Sequence, residues 1–186
     1  RKTTLRINTI KSNIEKIKKE LEKEKIEYET IKWSKEALII KNADEKTIQE
    51  MEIYKNGKIY LQSLSSMLPP IILEPKEGTD ILDMAAAPGG KTTQIAAFTN
   101  NKAHITACEK NKIRAERLKY NVDKQGATCV FIMPKDSRFI DDFFSFDQIL
   151  LDAPCSGSGT LDYNDANVEK YFTEQLIERS SKTQKT

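Results

Sequence analysis

From Thr79 onward the chain alternates short apolar runs with amphipathic stretches, and this rhythm constrains the fold more than any other feature. DILDM, AHITACE, TCVFIM and FDQILLD read as strands, while GKTTQIAAF and NKIRAERLKYNVDKQG read as the helices between the first three. In the second helix Ala115, Leu118 and Val122 share one face, and Gly126 stands where a left-handed cap would end it. Strands separated by helices cannot pair as hairpins. They predict a mainly parallel, doubly wound sheet whose ligand lies beyond the carboxyl ends of the strands. Acidic and glycine residues at those ends are the ones expected to carry function.

The front of the chain has a different rhythm. TLRINTI alternates like a strand, Ile14, Ile17 and Leu21 recur at helical spacing, and IEYETI and EALII suggest further short strands. A small α+β module is expected over residues 1–57, and the alternating domain over 58–186. Residues 42–57, with a turn at Asn56-Gly57, read as a polar connection holding one short helix. IYLQSLSSMLPPIILEP then leads into the helix-disfavouring pair Pro69-Pro70.

At 186 residues, 38% of them hydrophobic, the chain can bury one ordinary core and a small appendage. Residues 1–60 hold 15 Lys and Arg against 11 Asp and Glu, whereas residues 61–186 hold 15 against 17. A basic front end suits a phosphate-bearing partner, although the Lys/Glu run from Lys16 to Lys25 reads more simply as a solvated helix face. Cys108, Cys129 and Cys155 fall at no CxxC spacing and His104 stands alone, which argues against a metal site and a disulfide framework. A reducing, cytoplasmic setting is expected. Neither a signal-peptide pattern nor an apolar stretch of about 18 residues is present, so no membrane partner is expected. The chain opens on Arg1 rather than Met and stops at Thr186 inside a helical pattern (Val168, Tyr171, Phe172, Leu176), so a longer native protein is expected.

Four strand ends present four chemical features: Asp83 with the turn AAAPGGK, Glu109 after ITAC, Asp136 after FIMPK, and Asp152 with APCSG. The turn (Ala85, Ala86, Ala87, Pro88, Gly89, Gly90, Lys91) has small residues where backbone must approach a ligand, and it opens a helix whose N-terminus favours a carboxylate. Glu109, 19 residues after Gly90, suits two ribose hydroxyls because a carboxylate accepts both hydrogen bonds. Asp136 could accept from an adenine amino group. PGGKT also nearly matches a P-loop, but that motif needs glycine at position 85, where Ala85 stands, and Pro88 would remove a donor from a phosphate cradle. S-adenosylmethionine, with a carboxylate, a ribose and no phosphate, meets both objections.

At these residues the sequence resembles the Nop/Sun family of RNA cytosine-5 methyltransferases. DMAAAPGGKTTQIA looks like its cofactor motif, DSR at Asp136 to Arg138 like its third-strand acid, and LLDAPCSGSGT like its proline-cysteine motif. TLRINTIK and IYLQSLSSMLPP look like the family's RNA-recognition-like module and the helix entering the catalytic domain. The resemblance implies an α/β fold: a doubly wound, Rossmann-like S-adenosylmethionine-dependent methyltransferase sheet, here incomplete, preceded by a small α+β RNA-recognition-like module. It implies cofactor contact by Ala85 through Lys91, Glu109, Asp136 and Asp152, with Arg114 a further candidate, and an Asp152 that also faces the cytosine ring. RNA is the implied partner, ribosomal rather than transfer RNA because IYLQSLSSMLPP looks most like bacterial ribosomal members.

Carbon 5 of cytosine is too poor a nucleophile to attack a methyl sulfonium, so a thiolate must first add to carbon 6. An acid at the ring nitrogen, here Asp152, helps as charge develops, and the base must be unstacked to enter the pocket. The residues alone nominate Cys155 as the thiolate, since Cys108 and Cys129 lie in apolar strands. The resemblance assigns that role to a second cysteine, in a threonine-cysteine motif beyond the next strand, and leaves Cys155 to help release product. No Thr-Cys pair follows Asp152, so the nucleophile is expected outside this chain and ILLD becomes an exposed edge. The alternatives are an RNA- and cofactor-binding relative without a nucleophile, and a P-loop NTPase. Trp33 and the front-module tyrosines are expected in the core rather than stacked on bases.

Overall fold

The computed structural model describes residues 2–158, 161, 167, 170 and 172–185. Of the positions named above, Arg1, Val168, Tyr171 and Thr186 lie outside the described residues, as do Gly159 and Thr160 of the LLDAPCSGSGT motif. The front module comprises β1 (Thr4–Ile7), α1 (Ile14–Lys23), β2 (Tyr28–Ile31), β3 (Ser34–Ile40), α2 (Glu45–Glu50), α3 (Glu52–Lys55) and β4 (Ile59–Leu61). Its strands pair antiparallel in the order β2-β3-β1-β4, the arrangement of two interleaved split β-α-β units. Alternate residues of the strands (Leu5, Ile7, Leu38, Ile40, Ile59) meet Ile17 and Leu21 of α1 and Ile48 and Ile53 of the short helices in one apolar core. Asn13 and Asp44 start α1 and α2 by accepting from the N–H groups of Lys16 and Thr47, caps worth about 1 kcal/mol each.

Four details differ from expectation. Residues 42–57 hold two short helices rather than one, and β4, beyond Gly57, is hydrogen-bonded to β1. Trp33 occupies the turn between β2 and β3, off the apolar face, and is 44% exposed. Helix α4 (Leu64–Leu73) runs straight through Pro69 and Pro70. Pro70 leaves the Ser66 carbonyl without its helical donor, and the Gln62 side-chain amide supplies one at 3.0 Å.

The second sheet is built from β5 (Asp80–Asp83), α5 (Gly90–Phe98), β6 (His104–Cys108), α6 (Lys112–Gln125), β7 (Val130–Met133), a 3₁₀ turn (Ser137–Phe139) and β8 (Gln148–Leu150). All four strands are parallel, in the order β7-β6-β5-β8. This is the doubly wound architecture anticipated from the alternation, an incomplete Rossmann-like sheet. Its strand order reverses between β5 and β8, which makes the carboxyl end of β5 the topological switch point where ligands bind. Leu118 and Val122 of α6 enter the core with Ile81, Ile95 and Ile105, and Gly126 ends the helix at φ +70°. β8 forms a sheet edge among the described residues, with Ile149 exposed.

Both sheets belong to one compact unit ending at Leu150, and polar side chains join them. Asn8 Nδ2 donates to the carbonyls of Gly57 and Gln125, each at 2.8 Å. Gln125 Nε2 donates to Ile59 O, and Gln62 Nε2 to Gln94 Oε1. A second unit, Leu151–Thr186, contains α7 (Glu174–Gln184), whose cap Thr173 accepts from the Leu176 N–H. Leu176 is therefore helical as expected, while Phe172 precedes the helix. No helix among the described residues is long and apolar enough to cross a membrane.

Candidate functional site

The turn after β5 is held in shape from both sides. Asp83, 1% exposed, accepts from the Thr92 hydroxyl at 2.7 Å and so ties the strand end to the first turn of α5. The Ala86 N–H donates to Cys108 O and the Gly89 N–H to Ala86 O. Gly89 caps α5 at φ +106°, and a Cβ there would stand 3.0 Å from Leu118 Cδ1, so glycine is demanded by conformation, and a larger residue would also press on Leu118. From α6, Arg114 Nη2 donates to Ala87 O at 3.0 Å and Asn121 Nδ2 to Pro88 O at 2.8 Å. Arg114 is thus a clamp on the turn. Asn121 escaped the sequence reading, although it sits seven residues after Arg114, on the same helical face.

These ties present a short stretch of backbone without long side chains, followed by the first-turn N–H groups of Gly90, Lys91 and Thr92. Helix geometry gives those donors no acceptor within the helix, and they concentrate positive potential. Lys91 Nζ reaches the Ser66 hydroxyl of α4 at 2.8 Å.

Glu109 follows β6, its side chain 5% exposed. One carboxylate oxygen accepts from the Asn111 N–H at 2.8 Å, and the other lies 3.3 Å from Arg114 Nη1. The same arginine therefore joins Glu109 to the turn after β5. Asp136, beyond β7, accepts on one oxygen from Arg138 N and Nε and on the other from Arg138 Nη2 and Lys110 Nζ. Arg138, and then Lys110, hold its carboxyl well below the usual carboxylate range. Its four acceptor positions are all engaged. A further N–H can be accepted where Lys110, the longest contact at 3.3 Å, gives way.

The cysteines separate by environment. Cys108 is buried; desolvation, reinforced by the carboxylates of Asp83 and Asp136, pushes its thiol up to about 11. Cys129 is partly buried against the core, and desolvation raises its thiol as well. The dipeptide Thr128-Cys129 is a threonine-cysteine pair, but it leads into β7 and not beyond β8. Cys155 is exposed, with Sγ 3.4 Å from the Gly157 N–H. Both Asp152 and Cys155 lie in the second unit, and Asp152 is exposed.

The donor set in the first unit fits S-adenosylmethionine: first-turn amides at the positive end of α5 for a carboxylate, a turn without bulky side chains, and a fixed carboxylate at Glu109 for a diol. A cavity of about 260 Å³ lies away from the strand ends, lined by Tyr54, Tyr60, Asn121 and Lys124, and touches the turn only at Pro88.

Comparison with known proteins agrees with this geometry. The profile of the family described as 16S rRNA methyltransferase RsmB/F matches residues 70–186. The chain is similar to the tRNA (cytosine(49)-C(5))-methyltransferase of Pyrococcus abyssi, 42% identical over 87% of this chain and 52% of that protein. It is also similar to the ribosomal RNA small subunit methyltransferase F of Shewanella loihica, 34% identical over 98% of this chain and 39% of the relative. The chain therefore spans about half or less of the length of these relatives. Among solved structures, NSun6 from Pyrococcus horikoshii with SFG superposes with a TM-score of 0.84 at 25% identity, covering 98% of this chain and 70% of that one. A glycine turn braced by α6, acids beyond β6 and β7, and this match over most of the parallel sheet lead to one assignment: the chain belongs to the RsmB/F family of 16S rRNA methyltransferases, within the Nop/Sun group.

Proposed function

We propose that the protein is an S-adenosylmethionine-dependent RNA methyltransferase acting on carbon 5 of cytosine. The observation that carries this reading is the arginine clamp: Arg114 holds both the Ala87 carbonyl and the buried Glu109, so the carboxylate-binding helix end and the diol-binding acid are set as one unit. S-adenosylmethionine supplies the methyl group when bound. The first turn of α5, with Ala85 through Lys91 as the wall of the pocket, would hold its carboxylate, Glu109 its ribose and Asp136 its adenine. The SFG of the Pyrococcus horikoshii neighbour, an analogue of this cofactor, supports that assignment.

Asp152 stabilises the activated ring. Cys155 assists product release, and the attacking thiolate belongs to a further cysteine. The buried, raised thiol of Cys108 and the core packing of Cys129 suit neither for attack on RNA. Ribosomal RNA is the preferred substrate, in keeping with the family description and with relatives aligned over 98% of the chain. The higher identity to the Pyrococcus abyssi enzyme favours transfer RNA as the second reading.

Calorimetric titration with S-adenosylmethionine and with ATP tests the cofactor assignment; binding of the first alone is expected, and a preference for ATP would overturn it. Methylation of ribosomal and transfer RNA transcripts, mapped by bisulfite sequencing, then separates the two substrates.

A further inference from the structure

Arg6 is the largest fully buried side chain, at 2% exposure, and it stands on β1 of the front module rather than in the cofactor sheet. Among the described residues no carboxylate lies within ion-pairing distance of it. All its hydrogen bonds go to neutral groups: Nε donates to Gln62 Oε1 at 3.0 Å, and Nη2 to Thr93 Oγ1 at 3.0 Å and Gly90 O at 3.5 Å. The Tyr60 ring lies 5.8 Å from the guanidinium carbon. Burial lowers the group to about 10, which leaves it charged at neutral pH.

A buried arginine without an ion-pair partner is a costly way to fill a strand position, even with Glu36 of β3 favouring its charge at longer range, and an apolar residue would serve the core at least as well. Two of its three acceptors belong to the first turn of α5. The third, Gln62, also binds Gln94 of α5, so each of these bonds leads, directly or through Gln62, to the helix whose N-terminus faces the cofactor's carboxylate. Its charge lies in a poorly screened interior, and it adds to the helix-end potential where an anion docks.

We propose that Arg6 is a positioning residue of the cofactor site, through which the front module fixes the first turn of α5 and places a positive charge behind the carboxylate position. This rests on the S-adenosylmethionine reading. Cofactor affinity is then set partly by a strand outside the cofactor sheet, and the effect is confined to ligands that carry the carboxylate.

The test is a pair of calorimetric titrations, with S-adenosylhomocysteine and with 5′-deoxy-5′-methylthioadenosine, a nucleoside thioether lacking the amino-acid group. They are run on the wild-type protein and on Arg6→Met, Arg6→Gln and Arg6→Lys, with thermal unfolding of each in parallel. Arg6→Met and Arg6→Gln are expected to weaken S-adenosylhomocysteine about tenfold and the thioether less than about twofold. Arg6→Lys should keep the ratio of the two affinities while melting earlier. Equal weakening of both ligands, or of neither, would overturn the proposal and leave Arg6 as a fold-stabilising residue. Failure of the wild type to bind either nucleoside would instead refute the cofactor assignment. Should neither neutral variant fold, Thr93→Val loosens the guanidinium from α5 with the charge retained: a reduced affinity ratio supports the proposal and an unchanged ratio refutes it.

Discussion

Gly57 is the position where a single added methyl group is expected to do most damage. It adopts φ +68°, and a Cβ built there would stand 2.0 Å from the Lys124 carbonyl oxygen and 2.8 Å from its carbon. Both are backbone atoms of α6, so no rotamer change relieves the clash, and the turn must retreat from the helix. Left-handed backbone costs an L residue about 1–2 kcal/mol, forced overpacking about 1–3 kcal/mol, and loss of the Asn8 bond to Gly57 O about 1 kcal/mol. Gly57→Ala should therefore lose about 3–6 kcal/mol, much of the 5–15 kcal/mol typical of a folded domain. Gly78 provides the control, because it has the same handedness (φ +78°) with nothing within 4 Å of its added Cβ, so Gly78→Ala should lose only about 1–2 kcal/mol. Urea unfolding followed by far-UV circular dichroism measures both midpoints. If the two variants lose the same stability within about 0.5 kcal/mol, the contact with α6 contributes nothing and the reasoning fails.

Glu109→Gln keeps an acceptor for the Asn111 N–H but turns its amide N–H groups toward the half-exposed Arg114, so stability should fall by about 1–3 kcal/mol. Nucleoside affinity should fall about tenfold or more by calorimetry; an unchanged affinity would remove Glu109 from the site. Asp136 is held below the unfolded value of about 3.9, so the folded protein binds fewer protons there than the unfolded chain. The stability it contributes is present above about pH 4 and drains away as pH falls further. The stability difference between wild type and Asp136→Asn should accordingly shrink between about pH 5 and pH 2, and a constant difference would contradict this. In the active enzyme, Cys155→Ser should still methylate RNA once and remain covalently bound to it, visible as a denaturant-resistant adduct. Absence of both methylation and adduct would make Cys155 the nucleophile.

The parallel sheet was legible because its determinants are local. Ile81, Ile105 and their neighbours form continuous apolar runs, Leu118 and Val122 repeat at helical spacing, and Gly126 caps α6 as its position suggested. The turn from Ala85 to Lys91 announced itself by composition, and Glu109 by its distance from the glycines. What escaped notice depended on long-range pairing. Asn56-Gly57 has the chemistry of a flexible connection, yet Asn8 and α6 hold it fast. Pro69-Pro70 should interrupt a helix, but Gln62, earlier in the chain, satisfies the carbonyl that Pro70 leaves open. Arg6 fitted the polar half of an alternating strand, where solvent exposure would be the ordinary outcome, and only the second sheet packed against it explains its burial. Asn121 carried no motif at all.

The Gln62 side chain serves three partners at this junction: its oxygen accepts from Arg6, and its two amide hydrogens go to the Ser66 carbonyl and Gln94. Glutamate would lose both donors, and a shorter asparagine could not span the same three partners. Positions 6, 62, 70 and 94 thus form a lock whose parts come from β1, the approach to α4, α4 itself and α5. A chimera that grafts the front module of one relative onto the catalytic sheet of another should be more stable when these four residues travel together.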